Sequence, residues 1–453
     1  MSPAGALQRL AGHCQAPSAS LRTIVALYSQ RSGHRKRPQS GRIYWRSHDV
    51  GFTRLNRAPS GRVLMRAAIF TDNDLDQANG VTTTLKAVLR HAPAGVSARI
   101  YTAGDLRVDT DEYFAPASVG LGLPYSPDLR VYWPRVRALG RELRASGVDV
   151  IHITTPGPIG LAARWLASRL QVPMVASYDT HLGEYVERLS GSARFGRWME
   201  LYMRWLYAPC EPLLVPSMAT RKMLAAHGYR TTRCRVWPRG VDAAMFSPAR
   251  RSHTLRDQWH VDDRRPAVLY AGRLSHEKGL AILPYLQRTL DISRIPHRLI
   301  FAGDGPMAAE LRETCPDAVF LGSQPPDRLA TVMASADLFV FPSETDSFGS
   351  AVLEAQAAGL PALVTDRGGP REHVVDGVTG YVCSAGDVRD MCGRMAGLLR
   401  DRAHRQEMGA AARQHAQRRD WPSALLPLYG AWQDASRRRV VEPAQLPAQT
   451  SKV

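Results

Sequence analysis

A single stretch, residues 341–361, constrains this chain more than any other part of its sequence. It reads FPSETDSFGSAVLEAQAAGLP, in which an apolar end is followed by a loop with Gly349 and then by a run rich in alanine. That order is typical of a strand, a loop and a helix, because the residues after the loop are good helix formers. A helix that begins near Gly349 directs free backbone N–H groups and a partial positive charge at the space in front of it. The stretch therefore predicts an anion site on a strand-to-helix turn of an α/β protein.

Two acids flank this turn, Asp346 in the loop and Glu354 inside the helix. An ionised carboxylate accepts several hydrogen bonds, so each acid can bind the hydroxyls of a diol. Glycine at position 349 lets an anion approach the backbone closely, because it carries no side chain. A phosphate site between two acids that bind hydroxyls indicates a nucleotide sugar.

A second loop carries cations that suit a diphosphate. The segment AGRLSHEKG, residues 271–279, follows an apolar run and places Arg273 and Lys278 where a strand ends. Guanidinium and ammonium groups both bind phosphate oxygens strongly. Two later loops have the same character, with Gly303 in AGDGP and a Gly-Gly-Pro run at residues 368–370. Strands that alternate with helices through short loops predict parallel, doubly wound sheets.

Together these motifs resemble the retaining glycosyltransferases of family 4. The family signature is an acid, then seven residues that include a Phe-Gly pair (the FG step), and then Glu. Residues 346–354 match this signature. The first acid is usually Glu in the family and is Asp here, as in the mannosyl- and sulfoquinovosyltransferase-like branch. The resemblance implies the α/β class and the GT-B architecture, in which two Rossmann-like domains with parallel sheets face each other across a cleft. It also implies metal-independent transfer of a hexose to a hydroxyl, with a nucleoside diphosphate sugar as co-substrate. GDP-mannose is the first expected donor and a UDP-hexose the second, and no further cofactor is expected.

The resemblance implies roles for individual residues as well. Asp346 is expected to hold hydroxyls of the donor sugar and Glu354 those of the ribose, while Arg273 and Lys278 grip the diphosphate. The other expected donor contacts lie in glycine loops and at the helix start: Gly80, Gly303, Phe348, Gly349 and Ser350. Gly80 belongs to a loop of the N-terminal half that faces the diphosphate from across the cleft.

The acceptor side of the cleft carries a motif that departs from the family pattern. The segment ASYDTHLGEY, residues 176–185, resembles the family motif SYHT, but Asp179 stands where the family usually has His. That His lies beside the reacting sugar carbon in the family. Asp179 could accept hydrogen bonds from hydroxyls and stabilise positive charge at that carbon, but it cannot donate a hydrogen bond when ionised. Asp179 is therefore either a catalytic group together with Asp346 or an ordinary turn acid, and His181 is expected to be a loop residue without a catalytic role.

The order of motifs predicts the domain organisation. Residues 1–62 form a basic, disordered leader, residues 63–240 the N-terminal acceptor-side domain, and residues 241–416 the C-terminal donor domain. Residues 417–435 form a helix that crosses back to the first domain, and residues 436–453 a disordered tail.

The net positive charge suggests a second class of function. The net charge is +18, and residues 1–62 contribute eleven Lys and Arg against one Asp. Such a balance is found in proteins that bind nucleic acids. Because no nucleic-acid-binding motif accompanies the charge, no nucleic-acid partner is expected. A second alternative is a nucleotide-sugar-binding protein without turnover, since the family His is missing at position 179.

A metal site is not expected. Asp72, Asp74 and Asp76 form DxD patterns, which hold a metal ion on the diphosphate in another glycosyltransferase fold. Here they lie in the N-terminal half, and Arg273, Lys278 and a helix N-terminus already oppose the diphosphate charge. The six cysteines have no regular spacing, so neither a zinc site nor a disulfide framework is indicated.

The expected acceptor is a lipid or a glycan, and the expected location is the cytoplasm, with a peripheral position on the inner face of the membrane as an option. The segment ARFGRWMELYMRWLY, residues 193–207, mixes arginines with aromatic residues. A helix of this kind can lie on an anionic membrane surface. The favoured interpretation is an amphipathic helix that packs its Trp and Met side chains on its own domain.

Overall fold

The computed structural model describes residues 65–73, 80–105, 107–123 and 126–441. The predicted leader lies outside these ranges, as do residues 442–453 of the predicted tail. The described chain forms two α/β halves, each built on its own sheet, so the predicted pair of Rossmann-like domains is confirmed.

The first sheet is formed by β1 (Met65–Phe70), β2 (Val96–Tyr101), β3 (Val108–Asp109), β4 (Tyr113–Ala115), β7 (Val150–Ile153), β8 (Met174–Ser177), β9 (Leu213–Val215) and β10 (Cys234–Val236). Their order is β10-β9-β8-β7-β1-β2-β4-β3, and neighbouring strands are parallel except for β3 and β4. A separate antiparallel hairpin contains β5 (Gly120–Leu123) and β6 (Ser126–Tyr132). The helices of this half are α1 (Gly80–Arg90), α2 (Val136–Ser146), α3 (Pro158–Leu170), α4 (Leu182–Ser190), α5 (Ala193–Tyr207) and α6 (Met218–Ala226).

The second sheet is entirely parallel and contains β11 (Ala267–Ala271), β12 (Arg298–Ala302), β13 (Val319–Gly322), β14 (Leu338–Phe341), β15 (Ala362–Thr365) and β16 (Gly380–Cys383). Its helices are α7 (His253–Gln258), α8 (Ile282–Ile292), α9 (Ala308–Thr314), α10 (Pro326–Ser335), α11 (Ser350–Ala357), α12 (Val388–Arg400) and α13 (Arg402–Gln417). Short 3-10 turns cover Thr231–Arg233, Pro248–Arg250, His276–Lys278 and Pro370–His373. β11, β14 and β15 are buried along their whole length, as expected for apolar strands covered on both faces.

The strand order of the second sheet positions the site. The order is β13-β12-β11-β14-β15-β16, so the chain leaves β11 toward β12 on one side and reaches β14 on the other. The loops that follow β11 and β14 therefore diverge and leave a crevice at the carboxyl ends of these strands, where α/β proteins bind ligands. Arg273 and Lys278 follow β11, and Asp346 follows β14.

The last helix, α14 (Trp421–Val441), packs on the first sheet. Leu425, Leu428 and Trp432 are fully buried in a cluster with Leu214 and Trp237 of the N-terminal half. The helix extends past the predicted boundary at residue 435, because the residues that follow are mostly Arg and Val and the first proline, Pro443, comes later. Within the described ranges, no helix combines the length and the apolar character that a bilayer crossing requires.

Candidate active site

A cavity of about 230 Å³ lies between the two halves of the molecule. Its N-terminal wall is the loop after β8 and the start of α4, and its C-terminal wall is formed by the loops after β11 and β14. The lining residues are Asp179, Thr180, His181, Glu184, Tyr185, Glu277, Lys278, Thr345, Asp346 and Ser347. The structure thus brings together three predicted site residues, Asp179, Lys278 and Asp346, that are far apart in the sequence.

Asp346 is held as a carboxylate by three donors. Lys278 Nζ lies 2.7 Å from Oδ2, and the backbone amides of Phe348 and Gly349 donate to Oδ1 at 3.1 and 2.7 Å. Burial alone would raise the pKa of Asp346, but the Lys278 ammonium and the two amides outweigh it, so the pKa lies below its usual value. Asp346 is therefore ionised and rigidly placed at the mouth of the crevice.

This arrangement differs from the expectation for the helix start. The amides of Phe348 and Gly349, predicted to meet sugar and phosphate, donate to Asp346 here, so the side chain of this acid closes the turn that precedes α11. Gly349 has φ 83, a left-handed conformation that glycine adopts without strain. Among the described residues, the amides of Ser350 and Ala351 have no hydrogen-bond partner, so these two donors at the start of α11 are free.

Glu354 lies one turn further along α11. Its side chain is half-buried and has no hydrogen-bond or ion-pair partner among the described residues. Burial raises the pKa of Glu354 to about 8. An acid that is desolvated without a compensating partner is found mainly at functional sites, because it costs stability.

Arg273 and Gly303 lie on neighbouring loops at the ends of β11 and β12. The Arg273 side chain is exposed and has no partner among the described residues, so its guanidinium is free to bind an anion. A Cβ atom at Gly303 would lie 1.9 Å from the carbonyl oxygen of Gly272, so only glycine fits at this position. The visible role of Gly303 is to let the two loops pack together, and a contact with the donor stays a prediction.

Asp179 forms a buried ion pair with Arg239, whose Nη2 donates to Oδ1. The two side chains are 14 % and 8 % exposed, and the guanidinium lies 3.8 Å from the centre of the Trp237 ring. The backbone oxygen of Asp179 also accepts a hydrogen bond from Ser347 Oγ at 2.7 Å. The Asp179 charge is therefore neutralised, and its second oxygen is the part that can accept a further hydrogen bond. Sequence reasoning missed Arg239, although the RGVD segment at residues 239–242 was its visible signal.

The two halves also meet directly beside the cavity. Ser217 Oγ donates to the backbone oxygen of Ser347 at 2.8 Å. The amides of Met218 and Ala219, at the start of α6, donate to the two oxygens of Glu372 at 3.1 and 2.7 Å. These contacts place the N-terminus of a helix of one half against the donor loops of the other.

A buried histidine supports the FG step from behind. His373 Nε2 lies 2.7 Å from the carbonyl oxygen of Phe348, and Nδ1 lies 2.6 Å from Arg419 Nη1. Burial, together with the Arg419 charge, lowers the pKa of His373 to about 3. Because Arg419 can only donate, Nδ1 must accept and Nε2–H must donate to Phe348. Sequence reasoning missed this residue as well.

The remaining predicted residues lie in the N-terminal half. Gly80 is the exposed first residue of α1, and its expected contact with the diphosphate stays a prediction. Asp72 accepts hydrogen bonds from Thr155 Oγ1 at 2.5 Å and from the amide of Ile159 at 2.8 Å. It is thus engaged in capping α3. Residues 74–79 lie outside the described ranges, and with them the other two acids of the DxD patterns.

Comparison with known families identifies both halves. Residues 78–244 match the model described as Glycosyltransferase Family 4, and residues 252–415 match that described as Glycosyl transferases group 1. A GDP-mannose-dependent alpha-mannosyltransferase of Corynebacterium glutamicum is 32 % identical over 378 residues, which cover 82 % of this chain and 89 % of that protein. The sulfoquinovosyl transferase of Arabidopsis thaliana is 35 % identical over 287 residues, 61 % of this chain and 54 % of its own.

Solved structures show the same fold at low identity. Sucrose-phosphate synthase from Thermosynechococcus elongatus superposes with a TM-score of 0.64 at 18 % identity, covering 82 % of this chain and 98 % of that one. Anabaena HepE, solved with UDP and glucose, gives 0.63 at 17 % identity over 82 % of this chain and 100 % of its own. The two matching family models and the 32 % identical relative, together with this fold, establish that the chain belongs to the GT-B glycosyltransferases of family 4.

Proposed function

We propose that this enzyme transfers mannose from GDP-mannose to a hydroxyl of a lipid or glycan acceptor, with retention of configuration and without a metal ion. The observation that carries the proposal is the cavity in which Lys278 and Asp346 of one half meet Asp179 of the other. The donor assignment is supported by relatives named GDP-mannose-dependent alpha-mannosyltransferase, 31 to 32 % identical over 82 to 84 % of this chain. A peripheral position on the inner face of a membrane would give access to a lipid acceptor.

Four groups would bind the nucleotide. Glu354, desolvated and without a partner, would accept hydrogen bonds from the ribose hydroxyls. The free guanidinium of Arg273 and the unused donors of Lys278 would hold the diphosphate, together with the Ser350 amide at the start of α11. The negative charge that grows on the leaving diphosphate would thus face fixed positive groups, which is how a transition state of this kind is stabilised.

The two acids would act on the sugar. Asp346 has its Oδ2 beside Lys278 and would accept a sugar hydroxyl with a remaining lone pair. Asp179 would use the oxygen that Arg239 leaves free, so it would position the sugar and supply little net charge. Retention would follow if the acceptor hydroxyl attacks the same face of the sugar from which the phosphate leaves. An oxygen of the leaving phosphate would take the acceptor proton.

The test is turnover of purified protein with GDP-mannose and, in parallel, UDP-glucose and other nucleotide sugars. We expect release of GDP and of mannose to water in the absence of acceptor, faster than for any UDP-sugar. NMR of the first product should show the α-anomer. EDTA treatment should leave the rate unchanged. Stabilisation by GDP without turnover of any donor would instead support a binding protein, and faster turnover of a UDP-hexose would replace the proposed donor.

A further inference from the structure

The outward face of α5 is apolar and uncovered. Its large side chains at helical spacing are strongly exposed: Phe195 59 %, Trp198 64 %, Leu201 62 % and Trp205 50 %. The side that packs on the domain carries Met203, Leu206 and Tyr207 instead. The interpretation that both tryptophans of this helix pack on their own domain is therefore wrong. The apolar stripe is unusual for a free surface and indicates an interaction site.

The apolar stripe continues onto α3. Trp165 and Leu161 are 56 % and 40 % exposed. Arg164 of α3 joins the two helices, because its Nη1 donates to the backbone oxygen of Leu206 at 2.9 Å and its guanidinium lies 4.0 Å from the Trp205 ring centre. The exposed aromatic residues of α3 and α5 thus belong to one rigid surface.

Arginines border this surface on the side of α2. A groove of about 820 Å³ between α2 and α3 has a mostly apolar floor that includes Trp165 and Leu166. Its rim carries the exposed residues Arg137, Arg141, Arg144 and Arg169. No rim arginine forms an ion pair or a side-chain hydrogen bond with any described residue, so four positive charges point outward without a counter-charge.

We infer that this basic-aromatic face, formed by the outward sides of α2, α3 and α5, docks on an anionic phospholipid bilayer. Tryptophan is suited to the bilayer interface because its ring is apolar and its N–H is polar, and arginines bind the phosphates of the headgroups. The acids nearby offer little opposition, since Glu142 is paired with Arg99 and Glu200 is half-buried. Glu187, at the edge of the face, is the exposed acid.

Other occupants fit less well. A second copy of the same face would bring arginines against arginines in a symmetric contact. Residues 1–62 would also repel it, since they hold eleven basic residues and one acid. An anionic bilayer supplies both the negative charge and the apolar depth that the face requires.

The face adjoins the acceptor side of the cleft. α4 begins beside the cavity residues 179–181 and packs on α5 through the close contact of Gly183 and Gly196. Docking would therefore bring this wall of the cleft toward the bilayer. The inference rests on the peripheral membrane position in the proposed function and assigns a surface to it, while docking itself needs neither turnover nor a lipid acceptor.

The experiment is co-sedimentation of the purified full chain with phosphatidylcholine vesicles that contain or lack phosphatidylglycerol. We expect binding to the anionic vesicles, little binding to the neutral ones, and a loss of binding when salt is raised well above about 0.1 M. The triple variant Arg137→Gln, Arg141→Gln, Arg144→Gln should bind about a hundredfold more weakly, because each basic residue near such a surface contributes about fivefold. The double variant Trp198→Ser, Leu201→Ser should weaken binding as well.

A matched control removes the same charge elsewhere. Arg288, Arg389 and Arg400 are exposed on the donor half, and their triple change to Gln should leave vesicle binding nearly unchanged. Hydrolysis of the soluble donor without vesicles should be equal in all variants, which verifies folding separately from docking. Equal loss in the control, or binding that does not depend on phosphatidylglycerol, would overturn the inference. A dimer seen by sedimentation velocity would also overturn the inference if the Trp198→Ser, Leu201→Ser variant were monomeric. The face would then be a contact between two copies of the chain.

Discussion

Glu354 is desolvated without a partner, and this predicts how nucleotide binding depends on pH. Its pKa in the free protein is about 8. Under the proposed function, ribose hydroxyls would donate to the carboxylate and favour its ionised form, so the pKa of Glu354 would be lower in the complex. Affinity for GDP should therefore rise with pH up to about 8, by at most about tenfold per pH unit, and then level off. Calorimetric titration of the protein with GDP from about pH 7 to 9 measures this pH dependence of the affinity.

Glu354→Gln is the control for this dependence. The amide cannot ionise, so the variant should bind GDP more weakly at pH 8.5 and show no slope over the same range. A slope that persists in this variant would assign the titration to another group.

The free guanidinium of Arg273 predicts a specific kinetic defect. Arg273→Ala removes a charge that is proposed to face the leaving diphosphate, and kcat/KM for GDP-mannose should decrease by about a hundredfold with stability unchanged. Arg288→Ala removes an equally exposed arginine of the same half, away from the cavity, and should leave kcat/KM within about threefold. Equal effects of the two substitutions would contradict the diphosphate role of Arg273.

The Asp179–Arg239 pair predicts that position and charge can be separated. Asp179→Asn keeps the size of the side chain and an acceptor oxygen for Arg239. Because it leaves the buried Arg239 charge without its counter-charge, this variant should lower stability but retain more of its kcat than Asp179→Ala, which should lower kcat by more than about tenfold with little change in GDP affinity. Parent-like turnover in the Ala variant would make Asp179 a turn residue.

At the scale of elements, the turn before α11 depends on His373. His373→Ala leaves the Phe348 carbonyl and Arg419 without their partner and should lower the free energy of unfolding by about 2 kcal/mol or more. The Gln side chain of His373→Gln can supply one donor and one acceptor in place of the two ring nitrogens. This variant should therefore retain more of the free energy of unfolding than His373→Ala. Chemical denaturation of the two variants measures the difference in the free energy of unfolding. Equal losses would mean that the imidazole ring stabilises the turn by packing and not through its hydrogen bonds to Phe348 and Arg419.

The same histidine links stability to pH. Its pKa is about 3 in the folded protein and lies below the ordinary value of 6.5, so the unfolded chain binds a proton that the folded chain does not. Stability that depends on neutral His373 is complete above pH 6.5 and is lost as pH decreases toward 3, at about 1.4 kcal/mol per pH unit. His373→Gln should show a stability curve less steep by that amount between about pH 6 and 4.

Elements were predictable where the signal is local. Alanines after Gly349 and apolar runs before the glycine loops indicate the helices and strands directly, as α11, β11 and β12 show. The hydrogen-bond partners of the site residues could not be predicted in this way. Lys278 and Asp346 are far apart in the sequence, as are Asp179 and Arg239, and only the fold brings each pair together. The orientation of α5 was also ambiguous, since its aromatic residues occur on more than one side and periodicity alone cannot decide which side is buried.

At the scale of the whole molecule, α14 ties the end of the chain to the first half. Trp432 is fully buried, with its ring centre 5.8 Å from that of His152. Trp432→Ala should lower the free energy of unfolding by about 3–5 kcal/mol, because a large cavity remains. Leu426→Ala, on the exposed side of the same helix, should change it by less than about 0.5 kcal/mol. A small effect of Trp432→Ala would mean that the first half is stable without this helix.

Ser347 has a consequence for the order of events in turnover. It follows Asp346 directly, donates to the backbone of Asp179, and accepts from Ser217. These contacts with the opposite half run through the short turn that also carries Asp346. A widening of the cleft at this turn would therefore break the hydrogen bonds that hold the loop beside Asp346, the acid proposed to bind the sugar. Under the proposed function, assembly of the active site and enclosure of the substrate would be a single movement, and both would be lost when the cleft opens.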